Sequence, residues 1–552
     1  MIPKLRPDNP AGILSRQALG GRRGAMKTVR ETTLDLLRTL GMTTVFGNPG
    51  STELPFLKDF PDDFRYILGL QEATALSMAE GYARGTGNAA LVNLHTGPGL
   101  GNAMGNLVTA WHNKTPLVIT AGQQDRRHIA LEPLLSANLV ELARPYVKRS
   151  HEPYRAEDVP GEMHRAYHTA MQNPQGPVFL SIPMNDWDAE AEPFTAREIS
   201  HRSAPDPEAL EGIVRALTEA RRPVVVAGAG IARAGAFHDA VALAEKLGAE
   251  VWADPNSPLS GFPQDHPLFR GHLVLAQKKV AELLSPYDVV LVIGAPVFQY
   301  YPYVPGPVVE EGTRLFHVTD DPEEAHRAAA GVSVVGDVGL AIRNLTQLLP
   351  DTDRRPPSAP EPPSTPEATM PMSVDYLMRE ISDVCPEDTA FADESASSKP
   401  AFHRWVRPSQ PGGYITSAAG GLGFCLPASV GLKLASPERT MVCVIGDGSI
   451  MYSIQALWSA ARYGANVLVV VVNNRGYSIL KAFRDSVGIG DTVPGLDVGE
   501  VDYVRVAEGL GVSGETVEEP DELPGALKRG LNAGRPYLLD VVVDPTVPTL
   551  LS

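Results

Sequence analysis

The sequence has 552 residues, 43% hydrophobic and 20% charged, too apolar for a disordered chain and long enough for several cores at roughly 100–200 residues each. Acidic residues outnumber basic ones by 65 to 48, a net charge of −17, so neither a nucleic-acid duplex nor an anionic membrane surface is expected as a partner. Cys385, Cys425 and Cys443 cannot frame a disulfide scaffold and none sits in a metal-type CxxC pair, which favours a cytoplasmic setting. The apolar runs, such as 289–293 and 467–472, fall far below the roughly 18 residues of a membrane span. Residues 1–25 are basic (Lys4, Arg6, Arg16, Arg22, Arg23 against Asp8) and lack the apolar stretch of a signal peptide. They read as a disordered arm or upstream-start extension, with a targeting segment as the alternative.

From Met26 onward strands and helices alternate. Thr28 and Glu31 have capping-box spacing, followed by Leu34 and Leu37 as core residues and Gly41 as a terminator, which predicts a helix. Strands are expected at 43–46, 66–70, 90–94 and 117–120, with helices at 71–83 and 100–112. Residues 47–51 and 95–99, rich in Gly and Pro, read as loops. Such alternation predicts an α/β protein with mostly parallel, doubly wound sheets. An acidic, then proline-bearing stretch at 187–207 and a proline-dense linker at 350–372 divide the chain into three parts, 26–190, 205–349 and 373–545.

Chemistry is most legible in the third part. A strand at 441–445 runs into Gly446-Asp447-Gly448, a helix is expected at 453–463, and a strand at 467–472 ends at Asn473-Asn474-Arg475-Gly476. A right-handed βαβ unit puts Asp447 and Asn474 together at the carboxyl ends of neighbouring strands, where open sheets bind ligands. The glycines admit a phosphate closely. Asp447, Asn474 and a carbonyl near Gly476 offer hard oxygens that suit Mg2+ sharing a diphosphate better than a calcium cage.

Gly446-Asp447-Gly448 with Asn473-Asn474 resembles the thiamine diphosphate and magnesium motif of thiamine-dependent enzymes. Phe46-Gly47-Asn48-Pro49-Gly50-Ser51, Leu70-Gln71-Glu72-Ala73, Asn93-Leu94-His95, Ala121-Gly122-Gln123-Gln124 and the run from Ala418 to Phe424 extend the likeness over residues 27–545. Within the thiamine diphosphate-dependent decarboxylases, the benzoylformate decarboxylases are most similar. The resemblance implies a pyrimidine-binding domain, a middle domain and a diphosphate domain. It also implies non-oxidative decarboxylation of an aryl or branched 2-oxo acid through a cofactor carbanion and enamine, in a dimer of dimers with active sites at the dimer interface.

The same resemblance gives residues their roles. Asp447, Asn474 and Gly476 would hold Mg2+ (or Ca2+). Asn48, Pro49, Gly50, Gly446, Gly448, Ser449, Tyr477, Ser478 and Ile479 would contact the cofactor. Glu72 would bond N1′ of its aminopyrimidine, Gly420 its 4′-amino group, and Leu422 would hold it bent. His95 and Ser51 would meet the substrate and move protons, and Leu134, Leu135, Leu480 and Phe483 would line an apolar pocket. Tyr301 replaces a second histidine; a phenol hydrogen-bonds but does not shuttle protons near neutrality as imidazole does. Ile479, Thr416 and Ala396 also depart from the family in size or polarity.

Two other patterns read as structural. Gly228-Ala229-Gly230 begins a dinucleotide fingerprint whose third glycine is replaced by Arg233, so the middle domain is expected to lack FAD. His164 and His168 lack the glutamate of HExxH and read as a helix face. The alternatives to a decarboxylase are a carboligase or lyase, such as an acetolactate synthase or benzaldehyde lyase, and a non-catalytic cofactor-binding regulator.

Overall fold

The structure, a computed structural model, describes residues 26–354, 358–490 and 492–547, and the basic segment 1–25 lies outside these. Strands such as Val289–Ile293 and Leu468–Asn473 are mostly β-branched, buried along their whole length, and need apolar cover on both faces. They receive it by alternation: Val289, Leu291 and Ile293 enter one core, Val290 and Val292 the core behind the sheet.

Three six-stranded sheets result, all parallel. The first runs Arg65–Leu68, Thr44–Gly47, Ala90–Leu94, Leu117–Gln123, Val178–Pro183, Ser150–His151. The second is centred on Pro223–Ala227 and Val289–Ile293, and the third on Met441–Gly446 and Leu468–Asn473. The first and third sheets share one core, in which Leu76, Met78 and Leu107 meet Leu426, Val430 and Ile445. Helix Glu72–Thr86 crosses helix Cys425–Ala435 there at two glycines. A Cβ on Gly81 would lie 1.9 Å from the Ala428 carbonyl, and one on Gly431 1.8 Å from that of Met78.

Thr28 caps helix Val29–Thr39 in a full capping box with Glu31, and Gly41 terminates it in the left-handed region. Residues 96–99 are not a loop: they form the first turn of helix Thr96–His112, where Pro98 lacks only an N–H that has no intrahelical partner. The helix expected at 453–463 is confined to Ala456–Tyr463, after one separate turn, Asp447–Ile450. Gly228 and Gly230 serve packing, since a Cβ on either would lie within 2.6 Å of Gly294. His164 and His168 lie on helix Val159–Met171. The connector after residue 350 is tied down by Arg354, which donates to the carbonyls of Thr218, Ala220 and Leu247. Among the described residues, no helix is long and apolar enough to cross a membrane.

Candidate active site

Strands Met441–Gly446 and Leu468–Asn473 run in register, with Gly446 opposite Val472, so the residues that follow them meet. The Asp447 carboxylate ties the two strand ends together, accepting from the Gly448 N–H at 2.7 Å and the Gly476 N–H at 3.0 Å. Burial pushes its pKa up, and these N–H donors pull it back. The turn between them needs Arg475 at a φ of 62°. Asn473 faces away, donating to Asp540 at 2.9 Å. Asn474 faces the cleft: its amide donates to Ser397 Oγ at 3.3 Å, while its buried Oδ1 has no partner. The buried Ser478 Oγ is likewise unpaired. Gly448 leaves room for the Tyr477 ring, 2.4 Å from where a Cβ would stand.

This cleft gathers Ala396, Leu422, Gly446, Asp447, Gly448, Ser449, Asn474, Gly476, Tyr477, Ser478 and Ile479, all named from sequence. It adds Ser395, Ser397 and Ser398, which no motif flagged, although they follow strand Ala390–Glu394 at its ligand-binding end. Thr416 stands behind, donating to the Asp393 carbonyl at 2.7 Å.

Glu72 opens helix Glu72–Thr86, whose first turn is capped by Gln71. Its side chain is sequestered, the residue being 8% exposed, and accepts from Asn102 Nδ2 at 3.0 Å. Gly99 keeps the space beside it open; a Cβ there would approach Glu72 Oε1 to 3.3 Å. His95 caps the neighbouring helix and places Nδ1 2.9 Å from Glu53 Oε2. Glu53 is buried and also accepts from the N–H groups of Gly50 at 2.9 Å and Gly122 at 2.8 Å and from Thr52 Oγ1 at 2.8 Å. The Asn48-Pro49-Gly50-Ser51 loop closes over the imidazole: a Cβ on Gly50 would be 2.1 Å from His95 Nδ1. Ser51 is exposed on its rim.

Glu394 holds the segment that carries Gly420 and Leu422. Its carboxylate accepts from the N–H groups of Gly423 at 2.6 Å, Phe424 at 2.9 Å and Cys425 at 2.7 Å, and burial raises its pKa to about 7. Helix Thr96–His112 and its cap grip the same segment, through Asn106 to the Gly423 carbonyl and Asn113 Oδ1 to the Ala418 N–H. Gly420, at a φ of 69°, makes the bend.

Within one chain these residues form two groups: Glu72, His95 and Ser51 are not among those lining the Asp447 cleft. Several of the expected pocket residues are exposed on the single chain, while Leu135 and Phe483 are half-buried. Tyr301 is 66% exposed and stacks on Phe483, centroids 5.6 Å apart. Leu134 is 87% exposed, Leu480 is exposed, and Leu135 sits beside Leu134 at a φ of 68°.

Family descriptions of thiamine pyrophosphate enzymes match in chain order: the N-terminal TPP binding domain at residues 27–141, the central domain at 210–345 and the C-terminal TPP binding domain at 395–541. A benzoylformate decarboxylase of Pseudomonas aeruginosa is 44% identical over 95% of this chain and 100% of its own. The chain belongs to the thiamine diphosphate-dependent decarboxylase family. Solved structures similar to this decarboxylase include a benzoylformate decarboxylase from Polynucleobacter necessarius (TM-score 0.93, 40% identity) and a 4-hydroxybenzoylformate decarboxylase from Rhodococcus jostii RHA1 (TM-score 0.92, 43% identity). Each covers 95% of this chain and 100% of the other. An acetolactate synthase isozyme 3 large subunit of Escherichia coli is more distant, at 29% over 92% of both chains.

The decarboxylase's cleft fits the family's cofactor. One buried carboxylate, one amide oxygen without a partner and glycines that leave space are the donors expected where phosphate oxygens complete a metal's shell. Among the described residues no group of three or more His, Cys, Asp or Glu could hold a metal by itself, so a metal there would need such outside ligands.

Proposed function

We propose that this decarboxylase cleaves an aryl 2-oxo acid to an aldehyde and carbon dioxide, with Mg2+ and thiamine diphosphate bound between two subunits of a dimer of dimers. The observation that carries the reading is Asn474 Oδ1, buried without a partner in the cleft that Asp447 closes. The names of the relatives at 40–44% identity, benzoylformate and 4-hydroxybenzoylformate decarboxylases, favour an aryl substrate.

Asp447, Asn474 and the Gly476 carbonyl would hold Mg2+; Gly448, Ser449 and Ser478 would bind the diphosphate, and Glu72 and Gly420 the aminopyrimidine. When bound, the cofactor supplies the nucleophilic carbon and the electron sink. The chain does the rest. Glu72, oriented by Asn102, holds a proton at the aminopyrimidine nitrogen. His95, fixed through Nδ1 by Glu53, moves a proton at the substrate carbonyl oxygen through Nε2, and Ser51 binds the carboxylate. Leu134, Leu135, Leu480 and Phe483, which include side chains exposed on the single chain, would exclude water once a second copy covers them, which favours loss of a localised carboxylate charge. Tyr301 donates a hydrogen bond and carries no proton relay. The middle domain is structural, its Gly228-Gly230 pair being occupied with backbone packing.

The test is carbon dioxide release from a panel of 2-oxo acids with Mg2+ and thiamine diphosphate, beside Glu72→Ala. Turnover is expected on benzoylformate-like acids, to be lost in the variant while cofactor binding persists. Unaltered turnover in Glu72→Ala would sink the assignment.

A further inference from the structure

Where the three sheets' domains meet there is a second cavity, of about 300 Å3, lined by one arginine from each. Arg84 stands near the end of the helix that Glu72 opens, Arg233 ends helix Ala229–Arg233, and Arg439 lies between helix Cys425–Ala435 and strand Met441–Gly446. No Asp or Glu is among the described residues that line it, although the chain as a whole is strongly acidic.

Two of these guanidinium groups are not saturated. Arg233 has a side chain only 6% exposed and a buried Nε with no partner; its closest carboxylate oxygen, Asp320 Oδ1, stands 3.9 Å away and itself accepts no hydrogen bond. Arg439 donates to the carbonyls of Asp388 and Pro411, each at 2.9 Å, and leaves Nη2 buried and unpaired. Arg84 donates to the Asn113 carbonyl and to Thr115 Oγ1. Burial, and then the charge of Arg233, push its pKa down to about 9. Buried N–H groups on fixed cations are costly without acceptors, and the planar guanidinium fork matches the paired oxygens of phosphate. Asp320 and Glu324 near Arg233, Glu80 near Arg84 and Asp388 near Arg439 offset part of this charge from behind, but none of these carboxylates is among the residues lining the cavity.

We propose that this three-domain cavity binds a small phosphate-bearing anion, distinct from the diphosphate of the Asp447 cleft. Its position gives it a route to the active site. The Asn113 carbonyl that Arg84 engages belongs to the residue whose Oδ1 holds the Ala418 N–H, at the start of the segment leading to Gly420.

The test uses the decarboxylase saturated with thiamine diphosphate and Mg2+, so that the cofactor cleft is filled. It is titrated with inorganic phosphate or with glycerol 3-phosphate at constant ionic strength set by chloride, reading calorimetric binding and Tm. Saturable binding that raises Tm is expected, weakened at least tenfold in Arg233→Gln and in Arg439→Gln. Ser436→Glu brings a carboxylate into the cavity wall and is expected to raise Tm without phosphate and to abolish the response to it, which keeps the test decisive should the arginine variants fail to fold. Tighter binding of the ester assigns the site to a phosphorylated metabolite, and tighter binding of phosphate to the free ion. A non-saturable response, one that chloride reproduces, or one unchanged in Ser436→Glu would overturn the proposal.

Discussion

Glu53 receives four donors on one carboxylate: Gly50 N–H, Thr52 Oγ1, Gly122 N–H and His95 Nδ1. A glutamine there turns one acceptor into a donor and leaves a buried N–H without a partner, at a cost of about 1–3 kcal/mol. Glu53→Gln is therefore expected to lower Tm and also to reduce kcat, because the imidazole loses its orientation. His95→Ala, which removes the ring but keeps Glu53, is expected to lose about a hundredfold or more in kcat with Tm nearly unchanged. Thermal melts and steady-state rates of the two variants separate the roles. Asp254 offers a pH test away from the chemistry. It is buried, its Oδ1 has no partner, and burial, followed by the charge of Glu324, raises its pKa to about 7. Between about pH 4 and pH 7 the folded chain holds a proton that the unfolded chain has released, so this group's contribution to stability falls as pH rises and levels off above 7. Asp254→Asn keeps an acceptor for the Asn256 N–H and is expected to gain stability over the wild type as pH rises through that window, by at most about 4 kcal/mol. A variant whose advantage does not grow with pH would contradict this. At this scale Asp447, Asn474, Glu72 and His95 were legible because each sits in a short local motif. Glu53, Asn102 and Glu394 were not, since their partners at Gly122, Glu72 and 423–425 lie about thirty or more residues away in the chain.

The elements were read from alternation, and the strands came through because a β-branched run ending in Gly, Asp or Asn has few other solutions. Helix starts were less legible. Thr96-Gly97-Pro98-Gly99 carries loop composition yet forms a helical turn, because donors in a first turn need no partner within the helix. The crossing of helices Glu72–Thr86 and Cys425–Ala435 was hidden altogether, since Gly81 and Gly431 look like weak helix residues until the facing carbonyls are known. They let the helices approach closely, and so fix Glu72's helix against the domain that carries the Asp447 cleft. Gly431→Ala is expected to destabilise by about 1–3 kcal/mol through overpacking, net of any gain in helix propensity. It should also lower decarboxylation by shifting Glu72, measured as Tm and kcat together. Gly212→Ala, on helix Pro207–Glu219 with only Arg215 Nη2 near, at 3.9 Å, is expected to gain about 1 kcal/mol and leave kcat unchanged.

For the whole molecule the question is where the two groups of site residues meet. Glu72 and His95 belong to the first sheet's domain, Asp447 and Asn474 to the third, and the Asp447 cleft is lined by the third alone. Exposed apolar residues flank both groups: Leu54 and Leu70 beside Glu53 and Glu72, Met451 and Tyr452 beyond Asp447. Apolar side chains placed this way around unfinished chemistry fit a surface that a second copy covers, and closed two-fold symmetry then makes two equivalent composite sites. Complementation tests this directly. Glu72→Ala and Asp447→Ala chains are each expected to be inactive alone. When they are co-expressed with separate tags, half of the dimers are mixed, and one of the two sites in each mixed dimer draws both intact residues, one from either chain. About a quarter of the wild-type activity should therefore return. A site completed within one chain predicts no return at all, so an inactive mixed population, shown by its two tags to be dimeric, would place Glu72 and Asp447 in the same subunit's site.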